Sequence, residues 1–291
     1  MTTSKKIITR FAPSPTGFLH IGHLASIIFS KNFALKNNGE MILRIEDIDF
    51  TRCKSEFIKN IVDDLNFLNI SYRRTTDQSK RLDTYNEALN LLKDKGLAYQ
   101  CWLTRSEANN ILSAPHNNIK SITDTDLLIS DTEINIRKKS GFMPAWRIRL
   151  EKAIKLIKKS KENLSWFDLI QGEVELNLEK YGDFVIARKD ISTSYHLSVT
   201  IDDDADFVTH IIRGNDLFEF THIHRLLQII FNLKQTKWLH HPLIKNLNGK
   251  KISKRNSEFS LISLRKKGLT SKEVISFTEE AMDKNGFQTV F

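Results

Sequence analysis

The 291 residues carry 44 Lys and Arg against 35 Asp and Glu, a net charge of +9, with 40% hydrophobic and 27% charged side chains. Those proportions describe an ordinary globular chain of about two domains with a sizeable core, with no apolar run of the roughly eighteen residues a membrane span needs and no secretory apolar segment after Met1. Only Cys53 and Cys101 are present, which excludes a disulfide framework and suits the cytoplasm, while the basic surplus favours a polyanionic partner such as RNA.

Lys5 to Phe11 reads as a strand, with apolar Ile7 and Ile8 and β-favouring Thr9. The turn Pro13-Ser14-Pro15-Thr16-Gly17 comes next. A helix is predicted from about Ile21, its apolar faces formed by Leu24, Ile27, Ile28, Phe33 and Leu35, and Asn37-Asn38-Gly39 is a left-handed stop signal. A second strand, Met41 to Ile45, runs into Glu46-Asp47-Ile48-Asp49. The next helix takes Ser55 as N-cap and spaces Phe57, Ile58, Ile61, Val62, Leu65 and Leu68 helically; another spans Leu82 to Lys95 and ends at Gly96. Strand–helix alternation of this kind signals a parallel α/β sheet.

After Tyr99 the texture changes. Thr104 to Gly141 is polar and rich in Asn, Ser, Thr and Asp, and strand-like pieces return at Ala145 to Leu150 and Asp183 to Ala187. Residues 99–188 therefore read as an insertion between two halves of the sheet domain, 1–98 and 189–258. The α/β character resumes with a strand from Asp206 to Arg213, a helix from Leu217 to Phe231, an extended stretch from Lys237 to Ile244 and a turn at Asn248-Gly249. Helical patterns at Ser260 to Lys267 and Ser271 to Met282 fill a short segment, 259–291.

His20-Ile21-Gly22-His23 falls where the first strand has ended and a helix begins. A helix N-terminus presents unpaired N–H groups, and the two imidazoles lie on one face and can reach a single phosphate. Gly22 leaves the backbone open to a flat base or sugar, and Pro13, Pro15 and Gly17 shape the approach. Alone, the tetrapeptide reads more readily as two surface histidines met by chance. Near the other end, Asn248-Gly249-Lys250-Lys251-Ile252-Ser253-Lys254-Arg255 places four cations around a turn, suited to gripping a triphosphate as pyrophosphate leaves, or simply a solvated basic loop. Neither a Walker A pattern nor a G-x-G-x-x-G fingerprint is present, so a phosphate site has these histidines and lysines to use. Asp202-Asp203-Asp204 reads as a turn or helix start. His222, His224, His240 and His241 read as members of helix and strand faces.

The histidine pair followed downstream by K-I-S-K resembles the HIGH and KMSKS signatures of class I aminoacyl-tRNA synthetases. Arg10 to Gly17 (RFAPSPTG), Leu43 to Asp49 (LRIEDID), Tyr195-His196-Leu197 and His210 to Gly214 (HIIRG) resemble the glutamyl branch of that class. The resemblance implies a Rossmann-type α/β fold: a parallel-sheet catalytic domain split by an α+β insertion, activating L-glutamate with ATP and Mg²⁺. It assigns His20, His23, Lys251 and Lys254 to the charge developing on pyrophosphate, and Pro13, Gly22, His20, His23 and Lys254 to ATP. Arg10 and Arg213 fall to the side-chain carboxylate, which arginine's planar fork fits; Glu46 falls to the ammonium, with Ala12, Ser14 and Tyr195 completing the pocket.

Arg188 to His196, Arg213 to Leu217 and Thr221 to Gln228 further resemble the short glutamyl-queuosine paralogues of that branch. The 36 residues after Arg255 hold two short helices where a large anticodon-binding region would otherwise stand. This closer resemblance implies transfer of glutamate to the queuosine base of tRNA(Asp) by a monomeric cytoplasmic protein with no membrane partner, its basic surface holding the anticodon stem-loop. Those paralogues often bind zinc through a C-x-C pair, a tyrosine and a later cysteine. Here no cysteine comes after Tyr99-Gln100-Cys101, and one cysteine does not make a structural zinc site, so zinc is not expected. His116 reads as a solvated loop residue, and Trp102, Trp146 and Trp166 are expected to build the insertion's core. The rival readings are a glutamyl-tRNA synthetase reduced to its catalytic half and charging the 3′ end of tRNA(Glu), a small H-x-G-H nucleotidyltransferase, and a non-catalytic tRNA-binding module.

Overall fold

In the computed structural model, residues 6–104, 106–108, 129–245, 252 and 257–286 are described. In chain order they form β1 (Ile8–Phe11), α1 (Ile21–Lys36), β2 (Glu40–Leu43), α2 (Ser55–Phe67), β3 (Arg73–Arg74), α3 (Leu82–Asp94), β4 (Ala98–Cys101), α4 (Asp131–Lys139), β5 (Ala145–Ile148), α5 (Leu150–Ile157), β6 (Ser165–Asp168), β7 (Gly172–Glu175), β8 (Val185–Ala187), α6 (Tyr195–Ala205), β9 (His210–Gly214), α7 (Phe220–Ile230), β10 (Lys237–His241), α8 (Leu261–Lys266) and α9 (Ser271–Lys284).

β1, β2 and β3 pair in parallel, and β9, β10 and β6 do the same with β7 added antiparallel at the edge. β1 lies against β9, where Thr209 N donates to Ile8 O at 2.9 Å. The chain thus leaves β1 in one direction across the sheet and β9 in the other, the switch in strand order at which open α/β sheets bind ligands, beyond the carboxyl ends of the strands. β4, β5 and β8 make a separate antiparallel sheet. No helix among the described residues is long and apolar enough to cross a membrane.

α1 is apolar nearly all round because it is covered on both sides. Leu24, Ile27, Ile28 and Phe33 join Phe11, Met41 and Leu43 of the sheet, and the same cluster takes in Leu261, Leu264, Val274 and Met282 from α8 and α9. Burying each such side chain contributes about 1.5–3 kcal/mol, so the carboxy-terminal helices fix α1 firmly. Its amino end carries the histidine pair.

Several local expectations shift. Lys54, not Ser55, is the N-cap of α2, and its side chain makes no capping bond. The left-handed residue after α1 is Asn38 (φ 53°); Gly39 is required for a different reason, since a Cβ there would lie 2.2 Å from Ile7 O. The segment expected as a strand from Asp206 begins pairing only at His210, because Asp206 caps α6 and Phe207 turns the chain with φ 60°. Asp202 and Asp203 are buried within α6 rather than marking its start. The three tryptophans do not share one core. Trp166 packs with Ile42, Ile211 and Trp238 in the main sheet, Trp146 packs beside Leu97 and Ile148, and Trp102 faces Phe142.

Candidate active site

The site gathers residues from β1, the loop after β2, α1, α6 and β9. His20 is the N-cap of α1: its Nδ1 accepts from Gly22 N at 3.1 Å, while His20 N donates to His23 Nδ1 at 3.1 Å. Each ring therefore carries its proton on Nε2, the nitrogen suited to donate to an anion beyond the helix end. The ring centroids lie 3.9 Å apart. Gly22 is needed by His20 itself, since a Cβ would sit 2.9 Å from that ring's Cε1; the open space expected there for a base or sugar is taken by the imidazole.

The approach turn is tied to the loop after β2. Pro13 O accepts from Glu46 N and Pro15 O from Lys54 N, both at 3.1 Å. Pro13 is buried, Ala12 half-buried and Ser14 exposed. Lys251 and Lys254 lie outside the described residues, as does His116. The roots of the lysine loop are described, however. Ile252 is 2% exposed in the cluster that holds Leu19 and Ile21, its N–H donating to Ile244 O at 3.1 Å. Ser260 forms a bridge with His20, and Leu261 N donates to Leu19 O at 2.8 Å. The loop's roots therefore lie beside the histidine turn.

A set of buried charges is centred on Arg44. Arg10, at 5% exposure, gives Nε to Asp203 Oδ1 at 3.0 Å. Arg44 is fully buried against Asp203 (2.6 Å), Asp206 (3.1 Å) and Glu46 (3.3 Å), and Arg81 bonds Asp202 and Asp206 at 3.0 and 2.5 Å. Burial opposes the charge on Arg44, but Asp203, Glu46, Asp202 and Asp206 outweigh it and hold its pKa well above the ordinary value. Glu46 moves the other way: burial raises its carboxyl to about 7 against the pull of Arg44 and Arg10.

Arg213, 4% exposed, is the exception among these guanidiniums. Its partners are His240 Nε2 (3.1 Å), Thr221 Oγ1 (2.7 Å), Tyr195 Oη (3.4 Å) and His224 Nδ1 (3.3 Å), all uncharged acceptors. No carboxylate stands within ion-pair distance of it among the described residues, and burial lowers its pKa. Tyr195, whose pKa burial raises, lies in the field of Arg213, Glu46, Arg10 and Asp203 together. An uncompensated buried cation costs free energy that a carboxylate ligand would recover.

The family model "tRNA synthetases class I (E and Q), catalytic domain" matches residues 6–281. The chain belongs to the class I aminoacyl-tRNA synthetases of that branch. It is 35% identical to a glutamyl-Q tRNA(Asp) synthetase of Rhodobacter capsulatus, over 92% of this chain and 98% of that one. It is also 35% identical to a glutamate–tRNA ligase 1 of Rickettsia akari, over 94% of this chain but 59% of that relative's length. Among solved structures, a glutamate tRNA ligase from Elizabethkingia meningosepticum in complex with its amino acid is similar with a TM-score of 0.70 at 25% identity, covering 87% of this chain and 53% of that one.

Within this synthetase, the residues that sequence reasoning leaves out are the anions and imidazoles behind the pocket. Asp203 falls in an apparent acidic turn, and nothing local marks it as the partner of Arg10. The i,i+4 spacing of Asp202 and Asp206 is the one signal of a buried acidic face. Among the described residues no group of three or more His, Cys, Asp or Glu is placed to hold a metal ion. In the insertion, around Tyr99, the described contacts are a polar staple. Tyr99 Oη donates to Asp183 Oδ2 at 2.9 Å, Leu150 N donates to Asp183 Oδ1 at 2.8 Å and Arg147 donates to Asp183 O at 2.6 Å, which joins β4, β5 and the approach to β8.

Proposed function

We propose that this synthetase activates L-glutamate with ATP and transfers it to the queuosine base in the anticodon of tRNA(Asp), in the cytoplasm. A glutamate α-carboxylate oxygen attacks the α-phosphorus of ATP, the bond to pyrophosphate breaks, and a glutamyl-adenylate forms. A hydroxyl of the queuosine ring then attacks the acyl carbon, AMP leaves, and the hydroxyl proton passes to solvent. No protein nucleophile takes part. The chain's work is positioning and charge stabilisation.

The observation that carries the reading is Arg213, buried with four uncharged acceptors and, among the described residues, no carboxylate at ion-pair distance. The substrate's side-chain carboxylate supplies that anion, with the terminal nitrogens of Arg10 beside it. Glu46 in ionised form takes the ammonium, and Ala12, Ser14 and Tyr195 bound the pocket. His20 and His23 donate from Nε2 to the phosphates, while Lys251 and Lys254, which flank Ile252 in the sequence, take the charge developing on pyrophosphate. Mg²⁺ brought in on the phosphates of ATP would add positive charge there, beside the Nε2 donors of His20 and His23. The choice of tRNA(Asp) rests on similarity to the Rhodobacter capsulatus protein along 98% of that protein's length.

The test incubates the protein with ATP, labelled glutamate, and either queuosine-containing tRNA(Asp) or tRNA(Glu). Label on tRNA(Asp) that survives removal of the 3′-terminal nucleotides supports the proposal. Label confined to the 3′ end of tRNA(Glu) overturns it in favour of ordinary aminoacylation.

A further inference from the structure

We propose that His240 and Asp168 are positioning residues that aim Arg213 at the side-chain carboxylate of the amino acid. The proposal rests on the glutamate-pocket reading and extends it to two residues that do not touch the substrate. Arg213 and His240 face each other across the β9–β10 ladder. Arg213 Nε donates to His240 Nε2 at 3.1 Å, so the imidazole proton resides on Nδ1. That Nδ1 donates to Asp168 Oδ2 at 2.7 Å. Asp168 is itself held, its Oδ1 accepting from Ile170 N at 2.9 Å and Gln171 N at 3.1 Å. The result is a carboxylate–imidazole–guanidinium chain in which each member fixes the orientation of the next.

Both Asp168 and His240 are buried, and the imidazole is packed by Phe218 and Trp166 with centroids at 5.0 and 5.8 Å. The arrangement answers a physical difficulty. A carboxylate in direct contact would orient Arg213 well but would also neutralise it and compete with the substrate. A neutral imidazole orients the guanidinium without occupying its charge, and Asp168 sets the tautomer from one ring farther out. Burial holds His240 at about 4, so it remains a neutral acceptor at ordinary pH and does not repel Arg213. Thr221 closes the geometry, its Oγ1 lying 2.7 Å from Arg213 Nη2 and 3.2 Å from His240 Nε2. Asp168 arrives from far away in sequence because β6 pairs beside β10, with Trp238 opposite Asp168.

The test measures labelled pyrophosphate exchange into ATP for the full chain, with glutamate and ATP varied separately. For His240→Leu a rise in glutamate KM of about tenfold or more is expected, with the ATP KM within about twofold of wild type. His240→Gln, whose side-chain oxygen can accept from Arg213 Nε, is expected to recover most of that loss. Asp168→Asn, which keeps the shape but not the charge, is expected to raise glutamate KM about threefold or more. Should His240→Leu fail to fold, the Gln and Asn variants carry the test. An unchanged glutamate KM in Asp168→Asn, or equal losses towards glutamate and ATP in the Leu and Gln variants, overturns the positioning role. Arg213→Ala is the control. If it leaves glutamate KM unchanged, the pocket reading itself fails; if it raises KM while His240→Leu and Asp168→Asn do not, only the positioning role fails.

Discussion

At Gly22 the helix and the site make opposite demands. Alanine in place of glycine near the start of a helix stabilises it by up to about 1 kcal/mol, yet the added Cβ would stand 2.9 Å from His20 Cε1 and push the ring off its bond with Gly22 N. Gly22→Ala is therefore expected to leave the melting temperature unchanged or higher while lowering kcat for adenylate formation about tenfold or more. A melting curve and an exchange assay on the same preparation check both halves. Glu46 supplies a pH signature. Its carboxyl sits at about 7, above the ordinary 4.5, so the ligand-free protein loses stability as pH rises from 4.5 through 7. Binding an ammonium needs the ionised form, so glutamate KM is expected to fall about tenfold between pH 6 and pH 8 and then level off. Glu46→Gln should raise KM and flatten that profile; a wild-type KM constant over this range contradicts the role. At this scale the sequence names Arg10, His20, His23, Glu46, Tyr195 and Arg213 through local motifs. It cannot name Asp203 or Asp168, because a partner 193 positions from Arg10, or 72 from His240, leaves no local pattern.

Elements are legible where their cause is local. α1 is visible in its apolar spacing and its stop signal, and β1 and β2 in their branched residues. Their ends are less so, because capping is decided by what the neighbouring backbone needs. Gly39 shows this: Glu40 N donates to Ile7 O at 2.9 Å, and the glycine is there to let the two strands approach. Gly39→Ala is expected to destabilise the fold by about 1–3 kcal/mol through overpacking, measured by denaturant unfolding, whereas the same change at exposed, loosely surrounded Gly141 meets no atom within 4 Å and strains only the backbone. The β6–β7 hairpin is a different kind of omission. Ser165 to Asp168 and Gly172 to Glu175 are short, and β6 is recognisable only once β10 lies beside it. Composition also misplaces the start of β9, since Asp206 to Thr209 has the character of a strand but carries the end of a helix and the turn after it.

Over the whole molecule, the α/β character follows from strand–helix alternation, and the pairing of two distant signatures follows from nothing local. What brings them together is α1. It carries the histidines at one end, and along its length it packs against the segments on which the lysine loop is rooted: Ile252, Leu261 and Leu264 share its apolar cluster. The chain turns away from the adjacent strands β1 and β9 in opposite directions, so one arginine arrives from each half of the sheet. Glutamate-dependent incorporation of labelled pyrophosphate into ATP tests this convergence most directly. Exchange is expected with L-glutamate, little with aspartate or glutamine, and loss of the glutamate dependence is expected in Arg213→Ala. Exchange that proceeds equally with every amino acid, or that is indifferent to Arg213, would contradict that convergence.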